Sequence, residues 1–369
     1  MTANASLASL RAAGVSIWLD TLSRDLLERG DFARLVRDDG VTGATSNPAI
    51  FARAIAGSDR YDAQLHRLAA EGVSDPRELF FAPALDDVRT AADQLRDVHE
   101  ATGGADGFVS FECTPDIADD TEATIEQATD LWHRLDRPNV MIKVPGTAAG
   151  LPAVEELTRR GININITLLF SIARYEQVVD AYLRGLRARA LAGEPLAPIR
   201  SVASFFLSRI DTKADARLAP GSPLRGRAAV ASARVAYQRY RARFSGPAWE
   251  ALRELGAHPQ RPLWASTGTK DPGLSDVLYV AELIGADVIS TMPLATLRAF
   301  ADHGVVARTL DRDPDAARRT LADLAAAGVD LEAITAELER EGVQAFDDAY
   351  RDLLATIERK VGAAADVRR

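Results

Sequence analysis

The chain has 369 residues, 47% of them apolar and 26% charged, the balance of an ordinary soluble globular protein. Its net charge of −9 at pH 7 argues against non-specific nucleic-acid binding, which wants a basic face. The single cysteine, Cys113, cannot form an internal disulfide, and the N-terminus shows no basic region followed by an apolar one. No apolar run approaches the ~20 residues of a membrane span, so a cytoplasmic protein without membrane attachment is expected.

Eight strand-like runs follow one another: Ser16–Asp20, Val41–Ser46, Gly107–Cys113, Val140–Pro145, Ile162–Phe170, Ser201–Ser208, Pro262–Thr267 and Asp287–Met292. Most are rich in β-branched or aromatic residues and are bounded by Gly, Pro, Asn or Asp. Helix-like spacing marks Asp119–Leu135, Ala173–Leu191, Leu224–Phe244 and the shorter Ser275–Ile284. Strands alternating with helices predict an α/β protein with a parallel sheet, and eight such units predict a closed (β/α)8 TIM barrel. No Gly-x-Gly-x-x-Gly follows the first strand, which counts against a dinucleotide fold. The pattern breaks twice. Residues 51–106 read as an insertion of about two helices between strands 2 and 3, and 313–361 as Ala-rich charged helices on the barrel exterior. Residues 1–369 are read as one domain.

Only four of the 44 basic residues are lysines: Lys143, Lys213, Lys270 and Lys360. Lys143 lies in the otherwise uncharged run Val140–Pro145, on the strand face opposite Ile142 and Val144. If those two meet outer helices, Lys143 points into the barrel near the C-terminal end of its strand. There desolvation frees its amine to attack a carbonyl. The plainer alternative is a strand-end lysine that snorkels to solvent.

Strict alternation in Ile162–Thr167 puts Asn163, Asn165 and Thr167 on one face, lining the interior or forming a self-satisfied polar network. Glu112 has aromatic and small neighbours, the setting of a carboxyl with a raised pKa, while Cys113 on the opposite face reads as a packed hydrophobe. Asp20 ends the first strand and Asn47 follows the second. Each also fits as a turn or cap residue. Arg209 after the sixth strand and Lys270 after the seventh are candidate phosphate cations, with Ser266 and Gly268 beside the latter. The turn lacks the first glycine of a Walker A loop, so no ATP site is expected. The five histidines show no zinc spacing, and no Gly-x-Ser-x-Gly elbow occurs.

Several of these segments together resemble the transaldolase family. They are Trp18-Leu19-Asp20-Thr21, Ser46-Asn47-Pro48, Met141-Ile142-Lys143-Val144-Pro145 and Asn165-Ile166-Thr167-Leu168-Leu169-Phe170-Ser171. Ser204-Phe205-Phe206-Leu207-Ser208-Arg209 and Trp264-Ala265-Ser266-Thr267-Gly268-Thr269-Lys270 complete the set. The C-terminal helices look like those of the longer, actinobacterial-type branch. The resemblance implies a class I aldolase mechanism with no metal or cofactor, in the non-oxidative pentose phosphate pathway. Lys143 would form the Schiff base, Glu112 and Thr167 would orient a water, and Asp20 would take the C4-hydroxyl proton as C3–C4 breaks. Asn47, Asn165 and Ser204 would bind the dihydroxyacetone hydroxyls, with Phe206 a further substrate-binding residue. Arg209 and Ser266 would hold the phosphate. Where some branches carry an arginine two residues after that serine, this chain has Gly268, and Lys270 would supply the charge as a point donor.

The partners implied are small-molecule sugar phosphates, with a monomer or homodimer expected. Two rival readings stand beside transfer: an aldolase that cleaves fructose 6-phosphate outright, and a non-catalytic sugar-phosphate-binding barrel.

Overall fold

The structure, a computed structural model, describes residues 4–367. Its strands are β1 (Val15–Leu19), β2 (Gly43–Thr45), β3 (Phe108–Glu112), β4 (Val140–Pro145), β5 (Ile164–Leu169), β6 (Ser201–Phe206), β7 (Arg261–Ala265) and β8 (Val288–Met292). All neighbours pair in parallel, and β8 pairs with β1 to close the barrel. The (β/α)8 TIM barrel expected from the alternation is therefore the fold, and each strand matches a run read from the sequence to within two residues at either end.

Period-two alternation sorts the side chains. On β4, Ile142 and Val144 are fully buried under the Thr121–Leu135 and Gly150–Arg160 helices, which sends Lys143 inward. Capping fixes where those helices begin and end. Asp120 accepts from Ala123 N at the start of Thr121–Leu135, and Ser171 from Arg174 N at the start of Ile172–Leu191. Gly161, at φ 87°, ends Gly150–Arg160 while Ile162 N returns to Leu157 O. That pattern satisfies carbonyls the helix end would otherwise leave open.

Three stretches depart from the sequence reading. The 51–106 insertion belongs to a set of four helices, Pro48–Ala56, Asp62–Ala70, Pro76–Gln94 and Arg96–Ala101, rather than two. Glycines at 57 and 72 break the set, and Asn47 caps the first helix. Within 275–284 only Leu278–Ala281 is helical, too short for the apolar spacing there to have organised a full helix.

The third departure bears on function. Of the two C-terminal helices, Pro314–Ala326 packs on the flank against Ala228–Arg243. The other, Leu331–Val367, spans about 55 Å. It packs against the insertion helices, the helix after β6 and β5 itself, so it crosses the C-terminal mouth of the barrel. Ile334, Leu338, Phe346, Tyr350, Leu353 and Ile357 form its buried stripe. Each contributes roughly 1.5–3 kcal/mol of burial, ample to seat the helix. Gly342 lets it close on β5, since a Cβ there would come within 2.9 Å of Leu168 Cδ2.

Candidate active site

Lys143 Nζ donates to Glu112 Oε2 at 3.0 Å and to the Ser46 carbonyl at 3.2 Å. Register produces this pairing, because Glu112 on β3 stands opposite Lys143 on β4, and Lys143 opposite Asn165 on β5. Lys143 is 4% exposed and Glu112 8%. Burial pushes the Glu112 carboxyl above its usual range. The Lys143 ammonium pulls the other way, and the charge of nearby Asp20 adds to the push. In so dry a place, moving the shared proton from nitrogen to oxygen removes two buried charges together. It also leaves a nucleophilic amine beside a carboxylic acid.

Separate polar chains line the interior beside this pair. Ser204 on β6 donates to Asn165 Oδ1 at 2.6 Å, and Asn165 Nδ2 donates to Ser110 Oγ at 3.0 Å. Opposite, Asp20 accepts from Thr45 at 3.0 Å, and Thr45 shares a 2.9 Å bond with Thr291. Thr167 is fully buried, and its hydroxyl has no hydrogen-bond partner among the described residues. A buried hydroxyl so placed calls for a partner. Just beyond it, the β5–β6 register shifts and Leu168 takes φ 62°. That conformation costs a non-glycine residue about 1–3 kcal/mol and marks a strained bend at the mouth. Asn47 accepts from Ile50 N at 2.9 Å, so its carboxamide oxygen is engaged as a helix cap.

At the rim, Ser266 (φ 56°) shares a 2.8 Å hydroxyl bond with Ser208, the first residue of the Ser208–Asp215 helix. Arg209 follows. Its guanidinium lies 5.8 Å from the Phe206 ring centroid and has no ion-pair partner within 4 Å among the described residues. Burial lowers its pKa, opposed by the charge of Glu341 on the C-terminal helix, yet a guanidinium stays protonated at any working pH.

Asp20, Glu112, Lys143, Asn165, Thr167 and Ser204 thus surround one interior space, with Arg209 and Ser266 at its edge. Lys270 is exposed, on a cavity of about 250 Å³ lined also by Asp211, Asp215, Arg225, Tyr279 and the same Ser208 that bonds Ser266. Asn163 lies at the other end of β5, where it donates to the Pro138 and Val140 carbonyls and accepts from Arg200 N. Cys113 is buried, which raises its thiol pKa and keeps it an inert hydrophobe. Among the described residues no cluster of three metal-ligating side chains occurs.

Sequence reasoning missed Ser110, Thr45, Thr291 and Phe346. Ser110 shares the parity of Glu112, two residues on, and that signal could have found it. Phe346 had none: it comes from the C-terminal helix, and its ring centroid lies 5.9 Å from Lys143 Nζ.

The profile of the family described as Transaldolase/Fructose-6-phosphate aldolase matches residues 17–357. A protein named Transaldolase from Parafrankia sp. (strain EAN1pec) is 48% identical, covering 97% of this chain and 99% of its own. A Transaldolase from Acidothermus cellulolyticus is 50% identical, with 97% of each chain covered. Another from Thiobacillus denitrificans is 48% identical over 93% of this chain and 97% of its own. The likeness runs through the barrel strands and into the C-terminal helices alike, and the chain belongs to the transaldolase/fructose-6-phosphate aldolase family.

Proposed function

We propose that this enzyme is a transaldolase of the non-oxidative pentose phosphate pathway. It moves a dihydroxyacetone unit from sedoheptulose 7-phosphate or fructose 6-phosphate to glyceraldehyde 3-phosphate or erythrose 4-phosphate. The observation that carries the reading is the buried Lys143–Glu112 pair, ringed by Asp20, Asn165, Thr167 and Ser204. With its proton passed to Glu112, the Lys143 amine adds to the ketose carbonyl. The carbinolamine loses water to give an iminium, with Glu112 and Thr167 holding that water and supplying its protons. Asp20 then takes the C4-hydroxyl proton. The C3–C4 bond breaks, its electron pair flows into the iminium, and an aldose phosphate leaves behind a three-carbon enamine on Lys143. An incoming aldose phosphate reverses these steps, and water releases the new ketose.

The protonated imine is the electron sink, so the scheme asks for no metal or cofactor. Asn47, Asn165 and Ser204 serve as donors and acceptors for the dihydroxyacetone hydroxyls, with Phe206 as an apolar wall. Arg209 and Ser266 receive the phosphate, and Lys270 adds its charge as a point donor. The chain works in the cytoplasm as one domain, alone or as a homodimer. Incubation with fructose 6-phosphate and erythrose 4-phosphate tests the reading. Sedoheptulose 7-phosphate should accumulate, and little glyceraldehyde 3-phosphate should form when the acceptor is left out. Sustained acceptor-free turnover would mean an aldolase instead.

A further inference from the structure

We propose that Phe346 of the Leu331–Val367 helix sets the choice between transfer and release, by covering the carbon chain of the Lys143 adduct against protonation by solvent. The inference rests on the transfer reading above and goes beyond it, because it assigns a role to a residue outside the eight strand–helix units.

The ring centroid of Phe346 is 5.9 Å from Lys143 Nζ, and Phe346 is itself 6% exposed. A three-carbon unit bonded to Nζ has the reach to touch that ring. Tyr350, one turn further on, packs edge-on to Phe80 with centroids 5.9 Å apart. It also borders a small internal cavity shared with Glu112. The same helix is fastened on both sides of this aromatic pair. Lys213 binds Glu337 at 2.8 Å and Glu341 at 2.7 Å, and Lys360 binds Asp62 at 2.6 Å and the Ser58 carbonyl at 2.9 Å. The cover is therefore held in place by its own contacts and does not depend on Lys143.

Such a cover acts on one intermediate with two fates. The enamine carbon can attack an aldehyde, forming a C–C bond while the aldehyde oxygen gains a proton. Alternatively that carbon takes a proton itself, and water then hydrolyses the imine to free dihydroxyacetone and the Lys143 amine. Imine hydrolysis by the water that Glu112 and Thr167 hold is common to both fates, so what separates them is the proton delivered to the enamine carbon, and an apolar ring over the adduct keeps solvent from delivering it. The π face also favours the cationic imine over a neutral adduct.

The test compares the wild-type enzyme with Phe346→Ala and Phe346→Leu. Each is given fructose 6-phosphate and erythrose 4-phosphate, and free dihydroxyacetone is measured against sedoheptulose 7-phosphate. Because both products come from one intermediate, their ratio does not depend on how much of a variant is folded. The expected release-to-transfer ratio rises about tenfold in Phe346→Ala, equivalent to about 1.4 kcal/mol between two barriers. It rises by a smaller factor in Phe346→Leu, which keeps bulk but loses the π face. A ratio that is unchanged or lower in both variants overturns the role of Phe346 while leaving the transfer function intact. A wild-type enzyme that releases dihydroxyacetone and makes no sedoheptulose 7-phosphate refutes the function itself, and the inference with it.

Discussion

Lys143 and Glu112 stand opposite each other in the β3–β4 register and meet at 3.0 Å, so neither can change without altering the proton balance of the other. Glu112→Gln keeps the shape and removes the ionisable group. We expect kcat to fall roughly 10²–10⁴-fold, the range for a lost general acid or base, with KM little moved. An unchanged kcat would make Glu112 a structural partner only. Borohydride added with fructose 6-phosphate should leave a reduced three-carbon adduct that peptide mass mapping finds on Lys143. Finding it on Lys213, Lys270 or Lys360 would move the nucleophile elsewhere. Lys143→Arg should fold and form no adduct, since a guanidinium cannot make the imine.

Phosphate recognition should separate two cations that the sequence put together. Arg209 sits half-buried at the rim without an ion-pair partner among the described residues, whereas Lys270 is exposed to solvent. Arg209→Ala should raise KM for fructose 6-phosphate by the equivalent of roughly 1.5–3 kcal/mol, and Lys270→Ala by far less. Unphosphorylated fructose is the control, with both variants resembling the parent. Equal weakening of both donors by Arg209→Ala would place the phosphate elsewhere.

Asn165 bridges two strands, accepting from Ser204 and donating to Ser110 inside the barrel. Asn165→Ala strands two buried hydroxyls, each costing about 1–3 kcal/mol when unsatisfied. The denaturant midpoint should fall accordingly at unchanged m-value, and activity should fall with it. A midpoint equal to that of the parent would show that the chain of bonds carries no stability.

Asp211 gives a pH signature. It is 2% exposed and accepts from Tyr279 and Ala229 N, and burial pushes its pKa from 3.8 up to about 6. A folded-state pKa above the unfolded one means stability present below 3.8 and lost as pH rises to about 6. The loss is on the order of 3 kcal/mol. Asp211→Asn removes the charge while its oxygen accepts from Ala229 N and its amide nitrogen donates to the Tyr279 hydroxyl, so its unfolding free energy should lack that step. Parallel curves for the two proteins across this window would exclude Asp211 as the source.

How far the sequence could be read depends on the type of signal. The inward placing of Lys143, Asn165, Thr167 and Glu112 was legible because a covered strand has only two faces, and apolar neighbours claim the outer one. Asp20 and Asn47 were legible only in part, since each also fits as a cap, and Asn47 does cap a helix. Lys270 was harder to place, because proximity in sequence to Ser266 does not tell which way a four-residue turn will aim a side chain. Phe346 was illegible for a different reason. Its i, i+4 stripe announces an amphipathic helix, but which surface that helix covers is decided by the barrel it meets.

That dependence has a consequence for how the protein comes into being. Residues 331–367 leave the ribosome after every barrel strand. A nascent chain therefore already has Lys143 at the end of β4 while the helix bearing Phe346 is still unmade. In that interval Lys143 has no roof and lacks the dry setting that its chemistry needs. Docking of the last helix thus completes the enclosure around Lys143, so the chain's chemistry waits on its final residues.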